Sequence, residues 1–206
     1  MSKAYQVVRD FEECVAKYCG SPYAVALESC SAALFLCCKF VNVGELDEVV
    51  IPHRTYPSVP SSIINAGGRV GFSNIMWQHD GYYYLGETGI VDSAKRMSKN
   101  MYSWFSSSFV CLSFHGKKCL PIGRGGMVLT DSKEAYEWLR WMRFDGRHEE
   151  SLETDTLVGV GWNMYMAPTQ ATRGLELMQW IKDDNIMEPD FYPNLSMYEF
   201  YKEANR

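Results

Sequence analysis

Residues 23–40, Tyr-Ala-Val-Ala-Leu-Glu-Ser-Cys-Ser-Ala-Ala-Leu-Phe-Leu-Cys-Cys-Lys-Phe, decide the fold. The first five form an apolar run that is short for a helix and reads as a strand buried on both faces. The rest has helix length and opens on Ser29, a good N-cap residue. A buried strand feeding straight into a helix is half of a βα unit. The same alternation continues on either side. A helix is expected over 7–18, with Val8, Phe11, Val15 and Tyr18 on one side. Strands are expected at 48–51, 69–73, 89–92, 109–113 and 125–130. Further helices are expected over 57–66, 132–143 (with Ser132 as cap) and roughly 167–182. This order implies an α/β fold: a mostly parallel sheet flanked by helices. Ligands of such sheets collect at the carboxyl ends of the strands.

The chain has 206 residues, 47% hydrophobic and 22% charged, with a formal net charge of −5. That balance is ordinary for a globular protein and argues against a nucleic-acid partner, which normally meets a basic surface. No apolar run approaches a membrane span, and Met1-Ser-Lys-Ala-Tyr-Gln lacks the apolar core of a leader. The seven cysteines show neither Cys-x-x-Cys nor zinc-finger spacing. They read as free thiols of a reducing cytoplasm, with no metal expected. His53, His79 and His148 read as structural or exposed.

Four segments near strand ends can carry chemistry. Ser29-Cys30-Ser31 opens a helix, where free N–H groups and the helix dipole suit a phosphate; a plain cap is the simpler reading. Tyr56 follows the strand at 48–51 and either lies flat on a ligand ring or packs in its loop. Asp92 ends the apolar run 89–92, and burying a carboxylate there is costly without a cation or strong donor. The protonated ring nitrogen of pyridoxal 5′-phosphate (PLP) is such a partner; capping the next helix is the alternative. Lys118 lies in Ser113-Phe-His-Gly-Lys-Lys-Cys-Leu-Pro-Ile-Gly-Arg-Gly-Gly126, between a strand end and glycines that permit close backbone approach. Loss of water there makes an amine nucleophilic, although lysines usually sit in solvent.

In that spacing Ser113, Phe114, Lys118, Gly123, Gly125 and Gly126 resemble the Schiff-base segment of the DegT/DnrJ/StrS sugar aminotransferases. Five further segments, in the same order, resemble that family. They are Ser29 to Leu34, Gly44 to Pro52, Thr55-Tyr56, Asp92-Ser-Ala94 and Gly161-Trp-Asn163-Met-Tyr-Met166. Gln170-Ala171 follows. The resemblance implies a PLP-transferase large domain and a PLP-dependent aminotransferase. The donor would be an amino acid, glutamate foremost, and the acceptor a keto group on a nucleotide-linked sugar. It implies that Lys118 holds the cofactor as a Schiff base and that Asp92 keeps the pyridine nitrogen protonated. Tyr56 and Ala94 would cover the two ring faces. Ser31, Ser113 and the N–H groups near Cys30 would hold the phosphate. Asn163 would reach the cofactor of a second subunit, so a homodimer with shared sites is expected.

The sequence departs from the family at several points. Cys30 stands for a usual glycine, which would strain the backbone if positive φ is needed. Lys95 stands for a polar residue near the cofactor's phenolic oxygen, an oxyanion that a cation can still satisfy. Arg124 replaces a common acidic residue. The stretch between Phe72 and Asp92 is short, and the small C-terminal domain is largely missing. The expected organisation is a PLP-binding domain over 1–185 and an aromatic-rich tail over 186–206. These losses leave open another PLP reaction in the same site, decarboxylation or elimination, or a non-catalytic dimeric relic.

Overall fold

Ser29 caps its helix as expected: its hydroxyl oxygen accepts from the Ala32 N–H at 3.1 Å. Ser132 does the same for Ala135 at 3.1 Å. These caps set two of the helix starts in a computed structural model that describes residues 5–77, 79–105, 107–188 and 191–203. Met1 to Ala4 of the leader reading, and Pro189, Asp190 and 204–206 of the tail, lie outside the described residues. In chain order the elements are α1 (Gln6–Cys19), β1 (Tyr23–Leu27), α2 (Cys30–Phe40), β2 (Glu48–Pro52), α3 (Ser58–Ala66) and β3 (Arg69–Ser73). Then come β4 (Tyr83–Tyr84), β5 (Ile90–Asp92), β6 (Phe109–Ser113), β7 (Gly126–Thr130), α4 (Lys133–Met142), α5 (Pro168–Met178) and α6 (Glu199–Glu203).

Five strands form one sheet in the order β1-β7-β6-β5-β4, while β2 and β3 pair in parallel as a separate two-stranded sheet. The Gly86 N–H donates to the Val50 carbonyl at 2.9 Å and ties the two together. Alternate side chains of the main sheet serve two cores. Ala24, Ala26, Val110, Leu112, Met127 and Leu129 face α1 and α5, whose Val8, Phe11, Val15 and Ala171 are buried. Val25, Leu27, Cys111 and Val128 face the other way, against Leu34 and Cys37 of α2, Ile63 of α3 and Leu139 of α4. Each fully buried Leu, Ile or Phe contributes roughly 2 kcal/mol.

The α/β layering is as expected, but the pairing is more mixed than a mostly parallel sheet. The β5–β6 pair is parallel, whereas β7 runs against both β1 and β6, and β4 runs against β5. The reason is local. Residues 114–125 contain no crossover helix, and a parallel partner needs one. They fold back as the arm of a hairpin, with the Phe114 N–H on the Gly125 carbonyl at 2.9 Å and the Gly116 N–H on that of Gly123 at 3.1 Å. Gly123 and Gly125 make the return at φ 103° and 151°, values only glycine adopts readily.

The carboxy-terminal stretch packs on the body. The Met187 N–H reaches the Lys95 carbonyl at 2.9 Å, and the Leu195 N–H that of His53 at 2.7 Å. Arg54 donates to the Tyr192 carbonyl at 2.8 Å, and the Tyr201 hydroxyl to that of Pro57 at 3.3 Å.

Candidate functional site

The carboxyl ends of β5 and β6, the tip of the β6–β7 hairpin, the start of α2 and the turn after β2 surround a cleft of about 1110 Å³. Cys30, Ser31, Tyr56, Asp92, Ala94, Ser113 and Lys118 all line it. The close approach of these elements depends on one residue. A Cβ on Gly126 would meet the Cys30 nitrogen and the Ser29 carbonyl carbon at 2.4 Å, so β7 passes directly beneath the first turn of α2. Cys30 itself is not among the residues with positive φ. It opens the helix on an ordinary backbone, and the expected strain is absent.

Asp92 ends β5 with 5% of its surface exposed. Its Oδ1 accepts from the Ala94 N–H at 2.9 Å, and its Oδ2 from the Tyr83 hydroxyl at 2.9 Å. Burial pushes its pKa above the ordinary carboxylate value, while the Ala94 N–H, Tyr83 and Lys118 pull the other way. Two donors leave lone pairs free for another from the cleft. Burial also raises the Cys30 thiol well above its ordinary value, with Asp92 and Cys111 adding to the effect and Lys118 opposing it. A thiol so placed is a poor nucleophile.

Lys118 is half-buried near the hairpin tip, its N–H on the His115 carbonyl at 2.8 Å. The Ser31 hydroxyl donates to that of Ser58 on α3 at 2.6 Å. Tyr56 is 60% exposed at the cleft edge, within reach of a ligand.

Two expected residues stand apart. Lys95 is wholly buried, and its ammonium donates to the Glu188 carbonyl and lies 5.9 Å from the centre of the Tyr192 ring. Asn163 is exposed outside the cleft and donates to Asp145 Oδ2 at 3.1 Å. Four lining or supporting residues went unread in the sequence: Trp77, Tyr83, Met187 and Tyr192. Tyr83 lies in a run of three tyrosines, and a two-residue strand offers no alternation from which to tell which of them turns inward.

Among the described residues no group of three or more His, Cys, Asp or Glu could hold a metal ion. No described helix is long and apolar enough to cross a membrane. His148 sits 2.9 Å from Asp155, and His53 2.7 Å from the Ser73 carbonyl.

The sequence model of the DegT/DnrJ/EryC1/StrS aminotransferase family matches residues 1–79 and 103–188. The break between them takes in β4, β5 and the turn after it, and so leaves Asp92, Ala94 and Lys95 outside the matched residues. The spore coat polysaccharide biosynthesis protein SpsC of Bacillus subtilis (strain 168) is 24% identical over 85% of this chain and 57% of its own length. A DegT DnrJ EryC1 StrS aminotransferase from Brucella abortus superimposes with a TM-score of 0.68 at 18% identity, covering 86% of this chain and 59% of its own. NtdA of Bacillus subtilis, solved with bound cofactor PMP, gives 0.67 at 16%, covering 85% and 48%. At these identities the structural likeness establishes the fold. The chain spans less than two thirds of each of these relatives.

Proposed function

Because the chain belongs to the DegT/DnrJ/EryC1/StrS aminotransferase family, we propose that it binds PLP in this cleft and moves an amino group from an amino acid to a keto group. Glutamate is the donor we favour, and a nucleotide-linked sugar the acceptor class. The observation that carries the reading is the meeting, in one cleft, of a buried carboxylate, a lysine and the open start of a helix. Each fits one part of PLP. The Asp92 carboxylate, raised by burial and with lone pairs to spare, suits a ring N–H. The amine of Lys118 suits the aldehyde. The first N–H groups of α2, with the hydroxyls of Ser31 and Ser113, suit the phosphate.

PLP, when bound, supplies an electron sink for the charge left when a C–H bond beside an amino group breaks. The chain's own residues do the rest. Lys118 holds the cofactor and then carries the proton taken from the donor's α-carbon. Asp92 keeps a proton on the ring nitrogen. Tyr56 and Ala94 cover the ring, and Lys95 would need to leave Glu188 to approach it. Asn163 faces outward, which supports a role toward a second copy of the chain, and we read the assembly as a homodimer. We treat residues 186–206 as an appendage to the cofactor domain. Seven free cysteines favour a reducing cytoplasm.

The test is the visible absorption of the full chain with PLP, followed by borohydride and peptide mass analysis. The expected result is a yellow band, a pyridoxyl mass on Lys118, loss of both in Lys118→Ala, and bleaching of the band by L-glutamate. A folded wild type that keeps no PLP absorption once free PLP is removed by gel filtration, and gains no pyridoxyl mass, would sink the proposal.

A further inference from the structure

We infer that Tyr83 is the positioning residue of this site: its hydroxyl sets the charge and direction of the Asp92 carboxylate. This rests on the reading above only in giving Asp92 its task. The hydrogen bonds themselves make a chain. Tyr83 has one proton and gives it to Asp92 Oδ2 at 2.9 Å. The 2.6 Å contact between Tyr83 and Thr55 Oγ1 therefore has Thr55 as donor. The order Thr55 to Tyr83 to Asp92 needs Oδ2 of Asp92 to be free of a proton, as it is in the carboxylate. A proton on Oδ2 would force the chain to reverse, and Thr55 would then accept. Hydroxyls linked in this way in a dry interior strengthen one another.

The ring of Tyr83 is held so that the hydroxyl cannot swing away. Tyr83 and Trp77 pack at 4.9 Å and 55°, and Trp77 stacks on Tyr192 at 5.8 Å and 27°. Trp77 is fixed in turn by its Nε1–H on the Arg54 carbonyl at 2.9 Å. All of Asp92, Tyr83, Thr55 and Trp77 are buried. Of the other titratable groups around it, Lys118 on the hairpin lowers Asp92, while the thiols of Cys30 on α2 and Cys111 on β6 are themselves raised by the Asp92 charge.

The test uses the full chain labelled with carboxyl-¹³C aspartate, with Asp92→Asn to assign the signal. Tyr83→Phe keeps the ring and its packing and removes only the hydroxyl. The Asp92 titration is expected to move upward in Tyr83→Phe, because the ionised form loses a donor. In Thr55→Val it should move upward by less, since Thr55 acts only through Tyr83. A visible-absorption titration of the same variants with PLP should show Kd rising roughly tenfold in Tyr83→Phe, as expected for a lost hydrogen bond to a charged group. An unchanged Asp92 titration in Tyr83→Phe overturns the inference, and so does an equal shift in Thr55→Val. If wild type fails to bind PLP, the proposed function falls, yet the carboxyl titration still decides the role of Tyr83.

Discussion

Gly126 is the residue on which the cleft's geometry turns. It pairs with Leu27 of β1 on one side and Ser113 of β6 on the other, directly under the start of α2. Its missing Cβ is space the Cys30 and Ser29 backbone already occupies. Gly126→Ala should therefore lower stability by roughly 1–3 kcal/mol, the usual range for overpacking. It should also loosen PLP binding more than that loss of stability explains, because relief of the clash lifts the α2 start away from Lys118. Urea denaturation alongside cofactor titration would check both; an alanine variant with wild-type values for each would show that β7 has slack. At this scale the sequence was most legible where chemistry is tied to a motif. Asp92, Lys118 and Ser31 were singled out from their neighbours, and all three line the cleft. Tyr83 and Trp77 were not. Their roles come from a two-residue strand and a loop, where neither period nor motif marks a position.

Among elements, α1 and α4 are joined by charge as well as by packing. Arg143, 1% exposed at the end of α4, donates to Glu12 of α1, to the Ala26 carbonyl of β1 and, at 2.9 Å, to Glu149. Arg9 and Arg140 also reach Glu149, at 2.8 and 3.1 Å. Burial alone would raise the pKa of Glu149, but Arg143, Arg140 and Arg9 outweigh it and hold the group below its ordinary value. A depressed carboxylate contributes stability above its unfolded pKa and loses it as pH falls through the folded one. Urea midpoints should thus drop as pH falls below the ordinary glutamate range, and Glu149→Gln should flatten that drop. Arg143→Ala leaves buried Glu12 without its cation, while Glu149 keeps Arg9 and Arg140, and should cost about 3–5 kcal/mol at neutral pH, measurable by the same denaturation. A loss under about 1 kcal/mol, the scale of a surface pair, would show that water reaches the network. Strand positions other than β4 were legible from short apolar runs, but the direction of β7 was not. It follows from a connection too short to cross over, which the pattern within the strand does not record.

Over the whole molecule, apolar side chains stand in solvent at several places, and one such stretch holds three of them: Leu152 and Leu157 are each 77% exposed, and Val160 is 90%. Asn163 lies just beyond. If this stretch meets a second copy, Val160→Asp should weaken association by about tenfold or more through an unpaired buried charge. Light scattering would then show monomer where the wild type shows dimer, and PLP retention on gel filtration would fall with it. Equal masses for the two proteins would place the interface elsewhere.

The edges of the main sheet limit how any such assembly can be built. Ala26 on the outer side of β1 already has both its backbone groups engaged, its N–H on Glu12 at 2.8 Å and its carbonyl on Arg143. Tyr165 bridges Leu27 beside it. At the opposite end β4 is two residues long. Among the described residues neither margin offers a long run of vacant amides onto which a foreign strand could zip, so the main sheet resists growth at its edges.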